Sequence, residues 1–256
     1  SSMNGLYFFG NRNITINQRR REGSIISPGK FISIPPNSSA YLGLFTGRVA
    51  ELLDTNEGFY LKELFVGLQT EIWEQYHVSL QIFAPSALIS EAHLHLVLYH
   101  VKKAFDTKNN ISNLPAMEFL LYLGSQRQIK EAIKRVGHDF SQVSIDTLNF
   151  GVVVFGEPEK VKAAMGFISK KNQAFLGNEF RFNLRSYLDE LYAQNPLIVT
   201  RLEMILKTEG KTSSSKISSI DGLYAAFSAK DIEKALIEIV NQKMVKLYLD
   251  NYKEIK

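Results

Sequence analysis

The chain offers few residues in arrangements that could do covalent chemistry. It has 256 residues with five histidines, 30 Lys plus Arg, 26 Asp plus Glu and no cysteine. Without cysteine there is no thiolate nucleophile, no disulfide and no sulfur-ligated metal. His93 and His100 fall two turns apart on one face of a predicted helix, whereas a zinc-binding helix places its imidazoles four residues apart, and His95 points elsewhere. Packing or hydrogen bonding is the better account of these rings. Neither of the glycine-rich phosphate loops, Gly-x-Gly-x-x-Gly or Gly-x-x-x-x-Gly-Lys-Ser/Thr, follows a predicted strand, and there is no Gly-x-Ser-x-Gly elbow. Carboxylates are scattered singly, so no general acid and base pair stands out. The expectation is a protein with no catalytic residues, no metal and no cofactor.

A different set of side chains clusters where predicted helices meet loops. Lys102 and Lys103 end one helix, Lys108, Asn109, Asn110 and Ser112 occupy the following loop, and Arg127, Gln128 and Lys130 begin a third helix. Helix N-termini offer backbone amides to phosphate, and neighbouring Lys or Arg adds charge. From physics alone, ordinary caps and a solvated face are the better account of these residues. Arg19-Arg20-Arg21 reads as a solvated turn and takes no role.

The elements that must position these groups follow from periodicity. Phe31 to Ile34 and shorter pieces at Leu6–Phe9 and Ile14–Ile16 are β-prone, broken by Gly and Pro. From Gly58 to Tyr76, Leu61, Leu64, Phe65, Leu68, Ile72 and Trp73 recur at three- and four-residue steps and predict one apolar helix face. His77 to Phe83 alternates as a half-buried strand. Pro85-Ser86 opens a helix to about Phe105, and Ser112 is the expected N-cap of a helix to Leu123 with Pro115 in its first turn. Ser125-x-x-Gln128 has capping-box form, and Gly137 is the expected left-handed cap of that helix. Phe150 to Phe155, nearly all apolar, predicts a central strand covered on both faces. Glu157-Pro158-Glu159 starts a helix to about Ile168. Beyond lie a helix candidate from Pro196 to Thr208, a low-complexity break at Gly210 to Lys216, and a final amphipathic helix from Ala229 to about Asn251.

Composition, at 45% hydrophobic and 22% charged, supports a globular chain with a sizeable core. The formal charge of +4 and pI near 9.0 are compatible with nucleic acid without demanding it. No apolar run reaches membrane-spanning length, nothing has the order of a signal peptide, and Ser1-Ser2 read as a cloning remnant, so a cytoplasmic protein with no membrane partner is expected.

Between Tyr76 and Phe155 the order of short segments resembles a known family. His77-Val78-Ser79-Leu80-Gln81-Ile82-Phe83-Ala84 is followed by His93-Leu94, Lys102-Lys103-Ala104-Phe105 and Asn110-Ile111-Ser112. Then come Met117-Glu118-Phe119-Leu120-Leu121-Tyr122, Gln126-Arg127-Gln128-Ile129-Lys130-Glu131-Ala132-Ile133 and Gly137. Together they look like the tRNA-binding, kinase-associated subunit of the KEOPS complex. Phe45-Thr46-Gly47-Arg48-Val49 is similar to the family's first strand, and the last helix to its closing helix.

The resemblance implies an α/β fold, a single compact domain with a mixed β-sheet packed by helices. It implies a non-enzymatic subunit that binds the complex's small atypical kinase and meets the threonylcarbamoyl-transferase subunit only through that kinase. Such a subunit docks the 3′ CCA end of tRNA in support of threonylcarbamoyladenosine formation. Carried over by position, the tRNA-facing residues are His93, Lys103, Asn110, Ile111, Ser112, Arg127 and Gln128. Arg127 would hold phosphate or stack on a base, Asn110 and Ser112 would present hydrogen-bonding groups, and Ile111 either touches RNA or packs. An adaptor that binds the kinase without RNA is the alternative. On this reading residues 1–40 are an extended N-terminal extension, 41–170 the family core, 171–228 an insertion atypical of the family, and 229–256 a closing helix.

Overall fold

Two periodicities in the sequence, one of two residues and one near 3.6, resolve into a sheet with helices on both faces. The computed structural model describes residues 29–48, 58–137, 148–171, 175, 177–211 and 217–255. The segments Leu6–Phe9, Ile14–Ile16 and Arg19–Arg21, the residue Val49 and most of the 210–216 break lie outside the described residues.

Strands β1 (Lys30–Ile34) and β2 (Ser38–Gly47) form a hairpin. Helix α1 (Gly58–Tyr76) crosses to β3 (Ser79–Phe83), and β4 (Leu148–Gly156) inserts between β2 and β3, giving the order β1-β2-β4-β3. A two-residue strand, β5 (Asn178–Glu179), pairs with Gly43 and Leu44 beside the end of β1. Every ladder among the described residues is antiparallel. The mixed pairing expected is absent because β2 and β3, which run parallel to each other, are kept apart by β4.

Alternation along the strands sorts the core into two. Tyr41, Phe45, Phe150, Val152, Val154, Leu80 and Ile82 meet α1 and α5 (Pro158–Lys171) on one face. Ala40, Leu42, Val153, Phe155 and Phe83 meet all the other helices on the opposite face. Phe83 stands across from Gly151 in the ladder, where a β-carbon would come within 2.5 Å of its ring. The glycine is the space the phenyl ring needs. The central position expected for Phe150–Phe155 is the one found, and α1 has the expected bounds. Its Trp73 is an exception: the indole is exposed, not part of the apolar face with Phe65, Leu68 and Ile72.

The thick face is built from α2 (Glu91–Asp106), α3 (Pro115–Gly124), α4 (Ile129–Val136), α6 (Leu184–Gln194), α7 (Ile198–Thr208), α8 (Ile220–Ala226) and α9 (Ala229–Ile255). Segment 171–228 is therefore integral: Phe180, Leu188, Leu191, Ile198, Val199, Leu202 and Leu206 are buried in the main core. A side chain fully buried in this way contributes about 1.5–3 kcal/mol, so the segment is a load the core depends on. A boundary at residue 40 likewise cuts through β2 rather than between elements. No helix among the described residues is long and apolar enough to cross a membrane.

Several expected helix ends are placed differently. The helix foreseen from Pro85 splits into a 3-10 turn at Pro85–Ala87 and α2, which starts after Ser90, whose Oγ accepts from the His93 amide at 3.4 Å. Ser112 is not an N-cap; α3 begins after Leu114 with Pro115 in first position, and Ser112 Oγ accepts from the Leu114 amide. No capping box forms at Ser125. Ser125 closes α3 in a left-handed conformation, and Gln128 stands at the N-cap of α4 without a side-chain cap bond. Gly137 is extended, not left-handed. It is small because a β-carbon there would meet the Ile133 carbonyl oxygen at 2.6 Å.

Candidate nucleic-acid interface

The site residues named by sequence sit around a helical hairpin, α2 and α3, and the start of α4. Helix α2 ends in a Schellman motif. The Asn109 amide donates to the Ala104 carbonyl at 2.7 Å and the Lys108 amide to the Phe105 carbonyl at 3.1 Å, with Lys108 at φ 55°. α3 ends the same way: Gln126 donates to Leu121, Ser125 to Tyr122, and Ser125 is at φ 50°. Both turns place a residue with a β-carbon where glycine is cheapest.

The loop after α2 is held from beneath by a carboxylate. Glu118 is fully buried in α3, and its oxygens accept from the Ile111 amide at 3.1 and 3.2 Å and from the Ser112 amide at 2.8 Å. Burial raises its pKa, and the two backbone donors pull it back down. From the side, α9 adds a second clamp. Asn109 is 1% exposed; its Nδ2 donates to the Tyr248 carbonyl at 2.8 Å, while Asn251 Nδ2 donates to the Asn109 carbonyl at 2.6 Å. The Tyr248 hydroxyl donates to Thr107 Oγ1 at 3.0 Å. Asn109, grouped by sequence with exposed loop residues, is thus an internal anchor.

This frame fixes what the loop presents. Lys103 is half-buried, its ammonium 4.7 Å from the centre of the Tyr248 ring and 5.9 Å from that of Tyr99, close enough for cation–π attraction. Asn110 is half-buried and its Nδ2 donates to the Ser112 carbonyl, leaving its Oδ1 outside that bond. Ile111 is half-buried against the main core, Ser112 is buried, and Leu114 is exposed. Lys102 forms an exposed ion pair with Asp106 at 2.7 Å.

Arg127 and Gln128 lie beyond the other end of α3. Ten helical residues rise about 15 Å, so they do not share one small patch with Lys103, Asn110, Ile111 and Ser112. Both are exposed, next to the exposed Ile129, Lys130, Ile133 and Lys134 of α4. Gln128 makes no side-chain cap bond, so the first-turn amides of α4 and these cations favour an anion, offset in part by Glu131 in the same turn.

His93 belongs to neither group. It is fully buried near the start of α2, where its Nδ1 accepts from the Ile89 amide at 3.3 Å and its ring meets Tyr187 edge-on. Its Nε2 finds no partner among the described residues, and burial pushes its pKa down to about 3, so it is a neutral core imidazole. It cannot touch a ligand from this position.

Sequence reasoning missed the anchors Glu118, Asn251 and Tyr248. Glu118 carried a readable signal, an acid set in the otherwise apolar run Met117–Leu123. Asn251 carried none, because its partner is 142 residues away. Comparison with known proteins finds no matching family model and no matching curated protein.

Proposed function

We propose that the chain is the kinase-associated subunit of a KEOPS complex, a cytoplasmic, non-catalytic protein that binds the small atypical kinase and docks the 3′ CCA end of tRNA. The observation that carries this reading is the loop from Thr107 to Leu114. Its backbone is fixed at Asn109, Ile111 and Ser112 by hydrogen bonds with Asn251 and Glu118, beside Lys103 at the end of α2, which suits capture of a single-stranded end by stacking, backbone contact and hydrogen bonds to splayed bases. In this reading Arg127 and Gln128 meet a more distant stretch of the same RNA backbone, and the transferase subunit is reached through the kinase. His93 and Ser112 act from within, by packing α2 and by shaping the loop.

The test compares intact tRNA with tRNA lacking its CCA end. Intact tRNA should bind more tightly; equal affinity refutes CCA docking. A second reading, an adaptor that binds the kinase without RNA, draws on the exposed Tyr99, Val245 and Leu249 of α2 and α9. Separate titrations with tRNA and with purified kinase distinguish the two.

A further inference from the structure

A cleft on the thick face gathers hydrogen-bond donors that form no side-chain ion pair among the described residues or, for the Tyr187 phenol, no hydrogen bond there. It opens between the turn after α3, the end of α4, α6 and α9, and encloses about 40 Å³. Room on that scale holds roughly three waters at ~10–15 Å³ each, which is about the bulk of one tetrahedral oxyanion. Its polar lining comprises Ser125, Arg135, Tyr187, Glu190, Gln194 and Lys243.

Charge in the cleft is unbalanced. Lys243 is half-buried, and its pKa is held below the usual lysine range by burial first and then by Arg135 and Arg201. Among the described residues neither Arg135 nor Lys243 forms an ion pair, although exposed lysines elsewhere on the chain find carboxylates at 2.6–3.1 Å. Glu190, the one acid in the lining, is beyond ion-pair distance of both cations. The Tyr187 phenol, pushed up to about 12 by burial, stays a donor, and it has no acceptor among the described residues. The half-buried Lys243 feels the positive charge of the exposed Arg135 across the cleft, and an anion between them removes that cost.

We propose that this cleft binds a phosphate group, with Arg135 and Lys243 supplying charge and the Tyr187 and Ser125 hydroxyls donating to its oxygens. Arginine offers a fork that fits two phosphate oxygens, and lysine a point charge, which together suit a dianion better than a carboxylate. The assignment does not depend on tRNA docking, since it uses none of the residues named for it. The phosphate can be the free ion or the terminal group of a small ester.

Calorimetric titration of the full chain at constant ionic strength, with sodium chloride as the control, tests it. Inorganic phosphate should bind saturably at one site, and Arg135→Gln and Lys243→Gln should each weaken binding by about tenfold or more. Glu190→Gln, on the exposed rim, should tighten it. Adenosine 5′-monophosphate binding more tightly than phosphate, while adenosine fails to bind, identifies an ester as the ligand; equal affinity of the two phosphates identifies the free ion. No saturable binding at millimolar phosphate, or unchanged affinity in both cation variants with circular dichroism showing them folded, overturns the site.

Discussion

The two ends of the α2–α3 hairpin are built on opposite principles. At the Thr107–Leu114 end, buried polar groups are hydrogen-bonded to the loop backbone: Glu118 to two amides, Asn109 to α9, Asn251 to Asn109. At the other end, the exposed Arg127 and Gln128 follow a short turn, and the start of α2 buries His93, which bonds to Ile89 through one nitrogen and has no partner for the second among the described residues. One end is specified by satisfied bonds, while the other buries an imidazole that the fold keeps neutral. The first should be rigid; the second should weaken as protons become plentiful.

Removing the carboxylate should break the comparison most visibly. Glu118→Ala leaves the Ile111 and Ser112 amides unsatisfied, and a loss of about 3–5 kcal/mol is expected in urea unfolding, with faster hydrogen exchange at those two amides. Glu118→Gln, which keeps one acceptor oxygen, should cost less. If the alanine variant is as stable as the parent, the loop is not held from beneath.

Acid should sharpen the contrast. His93 has its pKa lowered to about 3 in the fold from 6.5, so below pH 6.5 the unfolded chain binds a proton that the folded chain refuses. Stability therefore falls with pH across that window, by roughly 1.4 kcal/mol per pH unit and about 3 kcal/mol at pH 4. Glu118 has the opposite sign, since its raised folded pKa favours the fold as pH falls through it. The difference between parent and His93→Gln isolates the histidine: the variant should lose this slope between pH 6 and 4, and an unaltered slope would show that His93 already protonates in the fold.

Smaller effects separate the clamps. Asn251→Ala removes the side clamp on Asn109 and should cost about 2 kcal/mol, whereas Ser125→Gly relieves a left-handed residue and should stabilise by up to about 1 kcal/mol in thermal unfolding. Arg127→Ala should leave stability within about 0.5 kcal/mol while weakening tRNA binding and flattening its salt dependence; unchanged binding removes Arg127 from the interface.

Where the sequence was legible, one local rule decided the outcome. The apolar spacing of α1 and the unbroken run of β4 define their elements because burial follows directly from pattern. Helix ends were less legible. Lys108 and Ser125 take left-handed positions that sequence reserves for glycine, because the loops beyond them are fixed by Glu118 and by packing rather than by backbone preference. The candidate site was legible as a set of residue types and not as a location. For His93, helix spacing favours packing and only the resemblance places it against tRNA; the Ile89 amide and the Tyr187 ring show it in the core. The place of segment 171–228 in the core was not legible because its contacts, such as those of Phe180 with Phe83, join residues far apart in sequence.

The insertion of β4 between β2 and β3 also governs when the protein can begin to exist. Leu42 pairs with Val153, so the central ladder joins residues about 110 positions apart, a topology that folds slowly because distant segments must meet before either is rewarded. During synthesis, the hairpin β1–β2, α1 and β3 emerge with their inner edges unpaired. They must wait for Leu148–Gly156, and the last two hydrogen-bonded residues of the sheet, Asn178 and Glu179, arrive later still. Until then Phe45 and Ile82 are apolar groups on open strands, the state most prone to association with other chains.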